Sequence, residues 1–198
     1  DVGDLTTNTM GSLVGSLIGL IVPTRLRGLE KAADAGAPRP VTRGRRLLAV
    51  LCDLLGASIV GGAAGTVVQL FLQFALRRED LVADAVLGDL AAGWTPILLW
   101  LIVVLVTGRT VGDLAVELRY DGGRLPGWAA RLLRFAAGIG GYLLLGQLLG
   151  DTSLLVGLFA LVSFVLLFTT RAGRGLPGLA TGRDLVDARS EPAPADGH

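Results

Sequence analysis

The chain has one cysteine, one histidine and one lysine, and each scarcity excludes a class of chemistry. Cys52 has no second thiol with which to close an internal disulfide, and His198, the last residue, supplies no cage of metal ligands. No metal and no cofactor is therefore expected. The 18 basic and 17 acidic residues leave a net charge of +1, so the concentrated basic face of a nucleic-acid binder is missing. No nucleophile with an adjacent base and no facing pair of carboxylates can be assembled, which argues against an enzyme. The near absence of lysine beside 17 arginines, in a background rich in Ala, Gly and Leu, is the composition of a GC-rich bacterial coding sequence. The chain opens on Asp1 rather than Met, which leaves its native start unspecified.

What the chain does have is apolar length. Hydrophobic residues make up 52% of the 198, with a mean hydropathy of +0.62, more than a domain with a fully polar surface carries. A helix needs about 20 mainly apolar residues to cross a bilayer. Four segments approach that: Leu47 to Ala75, Leu87 to Thr107, Phe135 to Leu149 and Leu154 to Thr170. The last three contain no Lys, Arg or Glu, and the third lengthens at its basic end through Trp128 to Arg134. The fold class expected is all-α, an integral membrane bundle of four spans.

Orientation follows from the positive residues beside each span, because Lys and Arg are retained in the cytoplasm. Along the chain the five flanks hold seven, two, five, none and four of them. This alternation puts both termini of the four-span region, and its central loop Arg109 to Arg134, on the cytoplasmic side of a bacterial inner membrane. Two regions lie outside the bundle. Within residues 1–42, Met10 to Val22 is apolar but short, with Gly11, Gly15 and Gly19 forming a side-chain-free ridge. It reads as an interfacial or re-entrant helix, or else as a fifth span. Asp187 to His198 is rich in Pro, Ala and acidic groups and is expected to be a disordered tail, which gives domains 1–42, 43–187 and 188–198.

Asp53 stands out, because a carboxylate inside an apolar span is costly unless it is protonated, paired or facing water. Arg46 lies seven residues earlier on nearly the same helix face, and Arg131 and Arg134 stand at the mouth of the third span. These four residues form either a proton or cation site or a buried ion pair. Ala57, Gly61 and Gly65 in the first span, and Gly146 and Gly150 in the third, suit close helix contact. Pro96 should bend the second span, and Trp94, Trp100 and Trp128 are candidates for headgroup anchors. Between spans two and three, Gly108, Thr110 and Gly112 open a stretch in which Val116, Leu118 and Tyr120 alternate with Glu117, Arg119 and Asp121. That stretch reads as a small element lying on the membrane surface.

Three segments in this order resemble the RDD family of bacterial membrane proteins: Arg46 to Asp53, then Gly108 to Gly112 with Leu118 to Arg124, and finally Arg174 to Val186. The resemblance covers about residues 43–187. It implies a multi-pass membrane protein, with sodium/proton exchange proposed for some members. The chain departs from the pattern in having Pro177 and Gly178 where histidine and aspartate are usual, and Asp113 where lysine is usual. The departures favour an accessory or scaffold subunit over an exchanger built on Asp53. The expected partners are the lipid bilayer and either further copies of the chain or other membrane subunits.

Overall fold

The computed structural model describes residues 36–77, 80–123, 125–150 and 152–190. The ridge of Gly11, Gly15 and Gly19, the segment expected to be an interfacial helix, and residues 191–198 lie outside it.

Thr42 starts the first helix, α1 (Arg43–Leu70), by accepting a hydrogen bond from the Arg45 amide. A π-helical turn, Phe71–Ala75, extends it. At about 1.5 Å per residue, its 28 residues exceed the roughly 30 Å of bilayer hydrocarbon. Asp80 caps α2 (Leu81–Thr107), which ends at Gly108 with φ 70°, the left-handed residue that commonly closes a helix. Val104 accepts from the Gly108 amide at 2.8 Å.

The two long helices pack through small residues. A Cβ on Gly61 would stand 2.6 Å from the Ala92 carbonyl oxygen, and one on Gly65 3.0 Å from that of Gly88, so the backbones approach as closely as glycine allows. Ala57, Gly61 and Gly65 are all buried on this face. Pro96 is buried inside α2 against Gly61. Gly150, by contrast, ends its helix with nothing within 4 Å of a Cβ, so the expected contact there is absent among the described residues.

After α2 the chain forms α3 (Val111–Ala115) and β1 (Leu118–Asp121), then α4 (Gly127–Ala136), α5 (Ile139–Leu149) and α6 (Leu154–Thr169). A 3-10 turn, Arg171–Gly173, leads into α7 (Gly175–Thr181) and β2 (Asp184–Asp187). β1 and β2 pair antiparallel, Leu118 facing Asp187 and Tyr120 facing Leu185. The all-α expectation therefore needs correction by a small two-stranded ribbon.

Among the described residues, two helices are long and apolar enough to cross a membrane, or three if the bent pair α4–α5 counts as one span. The third predicted span is not continuous: α4 and α5 meet at 51°. At the junction, a Cβ on Gly138 would come 2.9 Å from the Arg134 carbonyl oxygen, so only glycine fits. The fourth, α6, has 16 residues, about 24 Å of helix. Outward positions such as Ile59, Phe74, Val82, Val106 and Leu154 are at least 70% exposed, more apolar surface than a water-soluble monomer presents. The inner faces close around Ala57, Ile97, Trp100, Val104 and Phe135.

Replacing Gly61 with leucine forces a side chain into the Ala92 backbone. The expected cost is about 1–3 kcal/mol, read as a lowered melting temperature in detergent, while Gly62→Leu, which meets nothing within 4 Å, leaves it unchanged.

Candidate functional site

Thr110, Val111, Gly112 and Asp113 form one tight turn of backbone. The Thr110 hydroxyl accepts from the Asp113 amide at 3.1 Å, and the Asp113 carboxylate accepts from the Thr110 amide at 3.3 Å. This reciprocal capping box satisfies two amide donors at the start of α3 and fixes the Asp113 side chain. It points inward, where Asp113 is fully buried.

Two arginines from different helices converge on that carboxylate. Arg46 of α1 donates to Oδ1 at 2.6 Å, and Arg134 of α4 donates to Oδ2. The Tyr120 ring from β1 covers both guanidiniums, 4.3 Å from Arg134 Cζ and 5.7 Å from Arg46 Cζ. Its hydroxyl donates to the Arg174 carbonyl at 2.7 Å, so the polar end of the ring is also satisfied. Burial alone would raise the Asp113 carboxyl, but the Arg46 and Arg134 charges hold it below the ordinary carboxylate value. Burial pushes the Tyr120 hydroxyl above its ordinary value, with the two arginines opposing the shift.

Asp53 lies beside this trio on a different set of partners. Its Oδ1 accepts from the Trp100 indole at 2.8 Å and the Gly112 amide at 2.7 Å, and its Oδ2 accepts from the Thr110 hydroxyl at 2.6 Å. The same Thr110 oxygen lies 2.9 Å from Asp113 Oδ2, so a single hydroxyl hydrogen sits between two carboxylates. Gly112 is needed for this approach: any Cβ there would overlap the Ala49 carbonyl and come 2.9 Å from Asp53 Cγ. Ala49 is itself fully buried, so α3 docks on α1 where both helices carry almost no side chain.

A second clamp ties α1 to the ribbon. Arg45 donates to the Val116 carbonyl at 2.7 Å and to Asp187 at 2.8 Å. Burial works against the Asp187 charge, yet the Arg189 amide and Arg45 hold its carboxyl below the ordinary value. Asp187, expected at the start of a disordered tail, is thus the buried end of β2, and Ala188 continues the pairing by donating to the Glu117 carbonyl at 2.9 Å. Leu118 and Tyr120 are buried with Ala49 and Leu185, so this element packs against the start of α1.

Of the residues singled out from sequence, Arg46, Asp53, Arg134, Thr110 and Gly112 come together. The arginines do so on Asp113 and not on Asp53, whose hydrogen bonds come from neutral donors. Arg131 stands apart, donating to the Leu105 carbonyl at 2.5 Å, and Gly108 serves as a helix terminus. Trp100, expected as a headgroup anchor, is 1% exposed and holds Asp53, whereas Trp94 and Trp128 are exposed, at 38% and 68%. Asp113, Tyr120, Arg45 and Asp187 are given no place in this cluster by the sequence reading. The spacing Thr110-Val111-Gly112-Asp113 is a capping-box signature that pointed to Asp113. The spacing Ile97, Trp100, Val104 marks one helix face, but a span apolar on every side offers no contrast by which to see it.

Beside the cluster lies a cavity of about 440 Å³, with Arg46, Asp53, Thr110 and Arg134 on one wall and mainly apolar side chains of α1, α5, α6 and α7 on the others.

Asp113→Asn removes the charge between two buried guanidiniums, and should cost about 3–5 kcal/mol, measured as detergent-resistant folded fraction. Gly112→Ala should separate α3 from α1 and cost about 1–3 kcal/mol in the same measurement. Because the Asp113 and Asp187 carboxyls are held low in the fold, their contribution is complete above the ordinary carboxylate value and is lost as pH falls through the folded one. The melting temperature should therefore hold from neutral to about pH 5 and drop below about pH 4, with a shallower acid limb in Asp113→Asn.

Compared with known proteins, the chain matches no family model, no curated sequence and no solved structure.

Proposed function

We propose that this chain is a non-catalytic, multi-pass protein of the bacterial cytoplasmic membrane, of RDD type, acting as an accessory or scaffold subunit within an oligomer or larger membrane complex. The observation that carries the reading is that its two buried carboxylates are satisfied from within the fold. Asp113 binds two arginines, and Asp53 binds three donors. Such a cluster locks helices together, and its charges are matched two against two, which leaves it poorly suited to capture and release an ion.

Four spans remain the proposed topology, with α4–α5 as a broken third and α6 as a short fourth. Helices that fall short of the bilayer are accommodated by thinning it or by packing against neighbours, which suits a subunit completed by partners. The start of α1, the turn after α2, α4 and the strand after α7 meet at one end through Arg45–Asp187 and Arg46–Asp113–Arg134. That gathering of arginines supports a cytoplasmic position for this end and for the flanks of the bundle. Two of the three segments that resemble the RDD family meet in this cluster, Arg46 and Asp53 from the first and Thr110 and Gly112 from the second, which supports the RDD reading.

A second reading, a small proton- or cation-coupled transporter, is favoured by one arrangement. The cavity reaches Asp53, and the Thr110 hydroxyl links Asp53 to Asp113 at 2.6 and 2.9 Å, which is the geometry of a proton relay.

Asp53→Asn separates the two readings. For a scaffold, the mass of the purified assembly by light scattering should fall toward that of a single chain, and wild-type proteoliposomes should show no sodium or proton flux. Flux in the wild type that Asp53→Asn abolishes while the assembly mass is unchanged would establish transport instead. Cysteines placed in Arg109 to Arg134 should react only with reagents that enter the cytoplasm. Labelling from outside would reverse the topology.

A further inference from the structure

The cavity beside the ionic cluster has the two-sided chemistry of a ligand site. Its volume of about 440 Å³ falls within the roughly 300–1,000 Å³ of small-molecule pockets, which are mostly apolar with a few placed polar groups. Leu54, Phe159, Phe164 and Leu167 supply apolar walls. Leu161 and Phe164 line it and are 58% and 55% exposed, so the cavity is open to the surroundings at α6, an apolar helix whose exposed side chains meet lipid in a bilayer. A hydrocarbon chain in the bilayer reaches such a mouth without crossing water.

The polar wall says what the other end of the occupant must be. A guanidinium carries five N–H donors, and the hydrogen bonds of Arg46 and Arg134 among the described residues use one each, both to Asp113. Their side chains are only 9% and 4% exposed, and both line the cavity. Ser163 Oγ, also in the wall, is buried without a hydrogen-bond partner among the described residues. The wall thus offers more donors than acceptors. The formal charges of Arg46, Arg134, Asp53 and Asp113 already sum to zero, which favours a neutral acceptor over an anion.

We propose that this cavity binds an acyl lipid: a hydrocarbon chain lying between α1 and α6, with its carbonyl oxygen accepting hydrogen bonds from the guanidinium wall. The site goes beyond the scaffold reading and does not depend on it, since neither assembly nor ion flux is needed for it to fill. An acyl carbonyl reaches the protein from two sources, a phospholipid ester or a free fatty acid in its neutral form.

The test uses the full chain in nanodiscs doped with one of three photoactivatable probes sharing the same hydrocarbon chain: a phosphatidylcholine, a fatty acid, or an alkane without oxygen. Cross-links are mapped by peptide mass spectrometry. The expected result is labelling of Ala137–Tyr142 and Phe159–Leu167 in excess over the outward residues Leu98 and Ile102 of α2. An acyl probe should exceed the alkane about tenfold or more, the ratio that one hydrogen bond to a charged donor confers. Excess with the phosphatidylcholine alone identifies an ester lipid, with the fatty acid alone a free acid, and with both a site that reads only the acyl group. Val50→Trp fills the cavity and should reduce labelling to the α2 background. Ala160→Trp, at the exposed mouth, does the same without touching the cluster, so a folding failure of the first variant leaves the second to decide. The proposal is overturned by labelling no greater in the cavity segments than on α2, by equal labelling with the alkane, or by excess that persists in a folded filling variant.

Discussion

A charge removed from water must find its opposite inside the protein, and in this molecule that requirement falls on Asp113. Fully buried, it has guanidiniums from α1 and α4 on its two oxygens and a capping turn of its own backbone behind it. Removing any one member would leave another charge uncompensated in low dielectric, which is why such clusters resist single substitutions poorly. Three parts of the chain far apart in sequence are thereby fixed to one point. The lipid-facing helices could slide or rotate on apolar contacts alone, but not with this junction in place.

The junction works only because small residues let the backbone in. Gly112 against Ala49 brings α3 close enough for its amide to reach Asp53, just as Gly61 and Gly65 bring α2 against α1. Trp100 then supplies the third donor from within α2. Small residues and polar groups thus act together: close approach without the hydrogen bonds would leave Asp53 unsatisfied, and the hydrogen bonds without the approach would not form. Asp53 and Asp113 end as neighbours across a single hydroxyl, an arrangement that ties α1 to the turn that opens α3.

The ribbon of β1 and β2 has a matching role at the same end. Its Tyr120 ring shields the guanidiniums, and its Asp187 holds Arg45, so the segment after the last apolar helix is part of the core rather than an appendage. The polar lid and the adjoining cavity share the walls Arg46 and Arg134, which ties anything bound in the cavity to the position of α1 relative to α4.

The amino-acid sequence by itself determined the helical membrane class, because long apolar runs have no stable place in water, and it determined the importance of Arg46, Asp53 and Arg134, because charges beside or within such runs are too costly to be incidental. It also made the contact face of Ala57, Gly61 and Gly65 legible, since small residues at helical spacing have few other uses. What only the tertiary structure decided was the pairing. Arg46 and Asp53 share a helix face but lie about two turns apart, and which carboxylate stands between the arginines depends on a loop returning from α2. The break at Gly138 and the inward turn of Trp100 were likewise hidden, because uniformly apolar helices carry no periodic contrast. Nor could the pairing of Leu118–Asp121 with Asp184–Asp187 be read locally, since strand partners more than 60 residues apart are selected by the packed whole and not by either segment.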